Sequence, residues 1–79
     1  MNNLLDNIDE VHTTIMGVQR IKKNLGINKD VVSYCKKVIN NNKTNIYKKG
    51  KNYYCELDNI IITINSYSYT IITAHKKEK

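Results

Sequence analysis

The sequence predicts an α+β domain in which two to three N-terminal helices pack on one face of a four-stranded antiparallel meander sheet. Apolar residues recur at helical spacing up to residue 39, and from residue 44 the pattern changes to alternation rich in Ile, Tyr and Thr. Short polar connections separate the alternating segments, as in hairpins. We expect a single domain over residues 1–79, with the helical part in 1–42 and the sheet in 43–77.

Each predicted helix has a start or stop signal. The first covers Asn3–Val11, and Thr13 and Thr14 then offer a hydroxyl N-cap to a second helix over 14–24. Gly26 occupies the position of a left-handed C-cap, and a third helix runs from residue 28 or 30 to 39. The side chains expected to face the core are Ile15, Val18, Ile21 and Leu25 in the second helix and Val31, Cys35 and Val38 in the third.

The predicted strands are Thr44–Lys48, Lys51–Leu57, Ile60–Asn65 and Tyr69–Lys76. Their connections are Lys49-Gly50, Asp58-Asn59 and a three-residue turn at Ser66–Ser68. Turn length fixes the register. The second turn pairs Leu57 with Ile60, Cys55 with Ile62 and Tyr53 with Ile64; the third pairs Ile62 with Ile72, Ile60 with Ala74 and Ile64 with Thr70.

This register sorts the strands into an apolar face for the helices and a polar face that we expect to be open. The apolar set is Ile46, Tyr53, Cys55, Leu57, Ile60, Ile62, Ile64, Ile72 and Ala74. The polar set is Tyr47, Asn52, Tyr54, Glu56, Ile61, Thr63, Asn65, Tyr69, Ile71, Thr73 and His75.

Size and composition exclude several protein classes. At 79 residues there is room for one core and a shallow site, and no apolar stretch approaches the ~20 residues of a membrane span. Cys35 and Cys55 fall on predicted core faces, where they act as small hydrophobes. Their spacing from His12 and His75 is not that of a zinc site. We expect no cofactor, no metal, no membrane contact and a cytoplasmic location.

The positive charge is concentrated in the middle of the chain. The net charge is −3 over residues 1–19, +9 over 20–55 and 0 over 56–79, which sum to the total of +6. A cationic segment of this density attracts polyanions such as RNA. AT-rich coding offers another explanation, because the chain has twelve Lys, twelve Asn and twelve Ile but one Arg.

The polar face carries the residue types that bind single-stranded RNA. Tyrosines on an open sheet can stack unpaired bases, while lysines at its rim hold phosphates. The alternative is that tyrosine is simply a good strand former. The candidate RNA-binding residues are Tyr47, Lys48, Lys49, Asn52, Tyr54, Asn65 and Tyr69.

The same face suggests a catalytic set. Cleavage of RNA by attack of the 2′-hydroxyl needs a base, an acid and a cation near the phosphate. Glu56 as base, His75 as acid and Lys51 or Lys49 as cation meet that need, with Thr73 nearby. The alternatives are a solvated strand carboxylate and a terminal histidine. His12, between two helices, is expected to cap or pack.

Residues 47–54 and 60–76, with 17–25 and 31–36, resemble an uncharacterised family of small bacterial and phage proteins. More distantly, helices followed by a meander that ends in Thr70-Ile71-Ile72-Thr73-Ala74-His75 are similar to the barnase–colicin–RelE-like ribonuclease architecture. That resemblance implies acid/base and phosphate-binding roles for Thr73, His75, Asn65 and Lys51 on the exposed sheet face. The chain departs from it in having Lys where many relatives carry Arg.

Three hypotheses for function remain open at the level of sequence. The first is a metal-independent, toxin-like ribonuclease that acts from the open sheet face, with an acidic antitoxin as partner. The second is a non-catalytic RNA-binding module. The third is a protein-binding accessory or phage-type inhibitor that uses a sheet edge, where the chain could also form a homodimer. A helix-turn-helix over residues 14–39 is a weaker alternative.

Overall fold

The computed structural model describes residues 3–77 and has the predicted α+β architecture. Three helices precede the sheet: α1 (Asn3–Asp6), α2 (Ile15–Leu25) and α3 (Val31–Asn40), with one 3₁₀ turn at Ile8–Glu10 between the first two. The strands are β1 (Asn45–Lys49), β2 (Asn52–Leu57), β3 (Ile60–Asn65) and β4 (Ile71–Lys76). They form one antiparallel meander in the order β1-β2-β3-β4.

The first helix is much shorter than predicted. The α-helix ends at Asp6, a separate 3₁₀ turn covers Ile8–Glu10, and Val11 is extended (φ −66°, ψ 128°). The reason lies beside β4, where His12 forms an isolated parallel bridge with Thr70. Its N–H donates to the Tyr69 carbonyl at 3.1 Å and its carbonyl accepts from the Ile71 N–H at 2.7 Å. A helix through residue 11 would withdraw these groups from β4.

The caps of α2 and α3 follow the sequence. The Thr14 hydroxyl accepts from the Gly17 N–H at 3.0 Å, and Gly26 ends α2 in the left-handed region (φ 66°). The Asp30 carboxylate accepts from the Ser33 N–H at 3.0 Å. Ile15 differs from its prediction and is 80% exposed. It precedes Ile21 by about 1.7 turns, which places it on the side of the helix, outside the buried stripe.

The core lies between the helices and one sheet face. The α3 side chains Val31, Cys35 and Val38 are buried as predicted. The buried sheet residues in the same cluster are Tyr53, Cys55, Ile62, Ile64, Ile71 and Ala74, with Ile46, Leu57 and Ile60 partly buried against it. Because alternate strand residues point to opposite faces, the polar residues between them point away from the helices.

The β2–β3 register is confirmed, but the two other turns differ from their predictions. The first turn is Gly50-Lys51 (Gly50 φ 63°), so Lys49 pairs with Asn52 and Tyr47 with Tyr54. Relative to the predicted Lys49-Gly50 turn, the pairing moves by two residues. An even shift leaves each side chain on its predicted face and changes only its neighbours.

The last strand contains the main correction. The β3–β4 loop has four residues, 66–69, with Tyr69 in the left-handed region (φ 58°), and a register shift follows between Thr63 and Ile64. Ile62 therefore pairs with Ala74, not with Ile72. Ile71 is buried and Ile72 is 41% exposed, the reverse of the prediction. The longer loop and the bulge each add one residue, so the predicted faces return at Thr73.

Candidate nucleic-acid interface

The side of the sheet opposite the helices, here called the polar face, carries most of the predicted site residues. Its cross-strand rows follow from the register. One row is Lys49, Asn52 and Asn65, the next is Tyr47, Tyr54, Thr63 and Thr73, and the third is Asn45, Glu56, Ile61 and His75. Of these side chains, Thr63 alone is classed as buried, at 8% exposure. The face is therefore open along the part of the chain that the structure describes.

Tyr47 and Tyr54 form an aromatic pair at the centre of two neighbouring strands. Their ring centroids are 5.5 Å apart and the ring planes are inclined by 20°, which is a stacked arrangement. Tyr47 is 39% exposed and Tyr54 is half-buried. The pair exists because the Gly50-Lys51 turn sets the two tyrosines opposite each other. It provides a flat, partly exposed aromatic surface on which an unpaired base can stack.

The three lysines of the β1–β2 hairpin have different orientations relative to this pair. Lys49 is on the polar face, one same-face step from Tyr47. Lys48 pairs with Tyr53 and therefore points toward the helix side, while Lys51 lies in the turn. All three are exposed. The polar face thus carries the positive charge of Lys49, and Lys51 lies in the turn at the same end of the sheet.

Glu56 is held by two partners. Its carboxylate lies 2.6 Å from the Lys77 Nζ and accepts a hydrogen bond from the Tyr47 hydroxyl at 2.5 Å. The Lys77 hydrogen bond, and then that of Tyr47, lower the pKa of the Glu56 carboxyl, while the same bond to Glu56 raises the pKa of Tyr47. A carboxylate with a lowered pKa is a weaker base at neutral pH.

The predicted catalytic residues are only partly brought together. Glu56 and His75 both pair with Ile61, so two strand spacings, roughly 10 Å, separate their backbones. Thr73 is in the adjacent row. Lys51 is not with them, because it precedes Glu56 by five residue steps along β2, about 16 Å. Lys77 is the cation beside Glu56.

Two predicted RNA-binding residues have other roles. The Asn65 side-chain oxygen accepts from the N–H groups of Tyr67 (2.9 Å) and Ser68 (3.0 Å) and so closes the β3–β4 loop. The prediction that Tyr69 belongs to the polar face is wrong. Tyr69 packs against the core cluster, and its hydroxyl accepts from the Asn7 Nδ2 at 3.1 Å.

Sequence reasoning missed one group on this side of the sheet, namely His12. Its Nδ1 lies 2.8 Å from the Glu10 carbonyl oxygen and its Nε2 lies 3.0 Å from the Thr70 hydroxyl. The Ser68 hydroxyl is 2.8 Å from that of Thr70. The backbone carbonyl of Thr70 accepts from the Asn65 N–H at 2.9 Å, so Thr70 lies beside Asn65 and this cluster continues the row of Lys49, Asn52 and Asn65. No local pattern signals a contact between residues 58 positions apart.

Comparison with known families adds one match. A family model described as a protein of unknown function, DUF3781, matches residues 5–75. The chain belongs to the DUF3781 family. No curated protein and no solved structure matches it. The matched segment of the family includes both the sheet and the His12 segment.

Metal-ligand groups and membrane-spanning helices are both absent from the part of the chain that the structure describes. Over residues 3–77, His, Cys, Asp and Glu side chains nowhere form a group of three that could hold a metal ion. Among the same residues, every helix is too short or too polar to cross a membrane.

Proposed function

We propose that this DUF3781 protein binds single-stranded RNA on the polar face. The observation that supports this function best is the stacked Tyr47–Tyr54 pair, which lies on the uncovered side of the sheet, one step from Lys49. An exposed ring supplies a stacking surface and the neighbouring ammonium group supplies charge for a phosphate. Lys48, Lys49 and Lys51 contribute three of the ten positive charges of residues 20–55 and attract a polyanion to this hairpin.

Fluorescence anisotropy with a labelled single-stranded RNA oligonucleotide tests the stacking role of the ring. Tyr47→Leu removes the aromatic surface and should weaken binding by about 5-fold to 100-fold, since stacking of one base contributes ~1–3 kcal/mol. Tyr47→Phe keeps the ring and should retain binding. Tyr34→Leu is the matched control, because Tyr34 is a half-buried tyrosine of α3, on the helix side of the sheet. Equal affinity for all four proteins would refute the proposed surface.

The salt dependence of the same assay tests the charge. Lys49→Ala should reduce the slope of log K against log salt by about one, as expected for one lost phosphate contact. Lys23→Ala is the control, because Lys23 is exposed on α2 at the other side of the molecule. An affinity that does not change with salt would exclude RNA binding through this face. The same oligonucleotide in DNA form tests the preference for RNA.

Metal-independent cleavage of the bound RNA is a second candidate function. It is favoured by the position of His12, whose ring lies beside the Thr70 hydroxyl at one end of the polar face. An imidazole is the side chain best suited to move a proton at neutral pH. RNA incubated with the protein in EDTA provides the test, and intact RNA would dismiss this candidate while leaving RNA binding unaffected.

A further inference from the structure

The hydrogen bonds of His12 define the protonation of its ring. A backbone carbonyl oxygen can only accept, so the proton of neutral His12 is on Nδ1, where it donates to Glu10 at 2.8 Å. Nε2 is then an acceptor, and the Thr70 hydroxyl at 3.0 Å donates to it. The Thr70 proton is thereby used, so in this tautomer the Ser68 hydroxyl donates to Thr70 at 2.8 Å in place of its longer contact with the Asn65 Oδ1 at 3.3 Å. The Nε2 lone pair thus faces a hydroxyl group.

This arrangement is the one a general base requires. The basic nitrogen faces an O–H within hydrogen-bond distance, and a third group behind the ring fixes its tautomer and orientation. The backbone supports it independently, because the N–H and C=O of His12 are both bonded to the chain beside β4. His12 is exposed, so a ligand hydroxyl can reach Nε2 in place of Thr70.

The positive charge of the hairpin lies at the same end of the sheet. The Lys51 carbonyl accepts from the Ser66 N–H at 2.8 Å, which joins the β1–β2 turn to the β3–β4 loop. Lys49, Asn52 and Asn65 form the row that leads from β1 to Thr70. We call this end, with His12 and Thr70, the loop end of the polar face. It combines the His12 base with the turn that carries Lys51, whereas Lys49 lies three strand spacings, roughly 14 Å, from Thr70.

The other imidazole lacks these features. The Nδ1 of His75 lies 3.2 Å from the carbonyl oxygen of the next residue, and no hydroxyl is seen on its ring among the described residues. Glu56 is already engaged by Lys77 and Tyr47.

From this difference we infer that His12 is the general base of an RNA-cleaving site at the loop end of the polar face, with the Thr70 hydroxyl holding the place of a ribose 2′-hydroxyl. The inference rests on the proposed function, since it requires RNA on this face. The His12 Nε2 takes the proton of the 2′-hydroxyl, and the 2′-oxygen forms a bond to the adjacent phosphorus. The P–O5′ bond breaks, and the 5′-oxygen leaves as a hydroxyl after receiving a proton from solvent. The products are a 2′,3′-cyclic phosphate and a 5′-hydroxyl, with no metal and no net consumption of water.

The test compares matched variants of the two histidines on one single-stranded RNA in EDTA. His12→Gln should lower the cleavage rate by about 100-fold or more, the usual contribution of a general base. His75→Gln should leave it nearly unchanged. RNA with 2′-O-methyl groups should bind both variants as tightly as wild type and remain intact. Binding of this 2′-O-methyl RNA tests the proposed function separately from the inference. Wild-type protein that fails to bind it would refute RNA binding on the polar face.

Two readouts distinguish a base from a residue that only holds the fold. The acidic limb of the pH–rate profile, which reports protonation of the base, should disappear in His12→Gln. Added imidazole should restore part of the cleavage by His12→Ala, which a structural defect would not allow. Cleavage that depends on His75 but not on His12, or binding without any cleavage by wild type, would overturn the assignment. If His12→Gln fails to fold, the pH–rate profile of the wild-type protein remains as a test, and a profile without an acidic limb would overturn the assignment.

Discussion

The two ends of the polar face hold their titratable groups in opposite ways. At the end beside the β2–β3 turn, here called the Glu56 end, Glu56, Lys77 and the Tyr47 hydroxyl satisfy one another, and the carboxylate is stabilised in its ionised form. At the loop end, His12 is fixed by a carbonyl on one nitrogen and offers a lone pair on the other. A charged group with two partners stabilises a surface, whereas an oriented base with a replaceable partner can act on a ligand. The two ends therefore differ in whether a ligand can displace a partner of the titratable group.

The loop end depends on one close packing contact, and breaking it should have the largest effect. A Cβ built on Gly17 would lie 2.2 Å from the Thr13 Oγ1, which itself donates to the Ile71 carbonyl at 3.0 Å. Gly17→Ala should therefore displace Thr13 and the adjacent His12 segment from β4. We expect a loss of about 1–3 kcal/mol in the free energy of unfolding, typical of overpacking, measured by urea denaturation.

The neighbouring substitution Met16→Ala serves as a control for Gly17→Ala. Met16 is 72% exposed on the same helix turn, so the free energy of unfolding should change by less than about 0.5 kcal/mol. The comparison also sharpens the contrast between the two ends, because the Glu56–Lys77 ion pair lies away from α2. A Gly17→Ala protein as stable as wild type would mean that the His12 segment is not held against β4 in this way.

The stability of the Glu56 end should depend on pH. Because the folded pKa of Glu56 is lowered, its ionised form stabilises the fold above the unfolded pKa, and this contribution is lost as pH falls through the folded pKa. Glu56→Gln should therefore have a lower melting temperature than wild type at pH 7, and the two curves should converge in acid. The effect should be smaller than that of Gly17→Ala, because the pair is on the surface.

Asp58→Asn provides the matched control for Glu56→Gln. Asp58 is an exposed carboxylate in the next turn, no ion pair of it is seen within residues 3–77, and asparagine tolerates its positive φ of 53°. Asp58→Asn removes the same charge without breaking an ion pair, so its melting temperature should be close to that of wild type at pH 7. A constant difference between Glu56→Gln and wild type down to pH 2 would show that the ion pair does not account for the stability.

The sequence determines the fold better than it determines the site. Caps, alternation and the Asp58-Asn59 turn predict the elements and the β2–β3 register, because each depends on neighbouring residues. The four-residue loop and the bulge near Ile72 are not visible in sequence, since alternation is the same on either side of a one-residue insertion. His12 was assigned to a helix junction because its partner Thr70 lies far along the chain. The prediction for Tyr69 is wrong because its backbone has a positive φ, and no glycine in the sequence marks that position.

The smallest expected effect concerns a single hydroxyl of the loop end. The Ser66 Oγ is buried, and no hydrogen-bond partner for it is seen along the described chain. A buried hydroxyl without a partner opposes folding, so Ser66→Ala should stabilise the protein slightly, by up to about 1 kcal/mol in urea denaturation. The Ser66 N–H bond to Lys51 is unaffected by this change. Ser68→Ala is the control, because the Ser68 hydroxyl is bonded to Thr70 and its removal should not stabilise the fold. If Ser66→Ala instead destabilises the protein, the Ser66 hydroxyl has a hydrogen-bond partner in solution, and the loop end is more tightly bound than the Glu56 end.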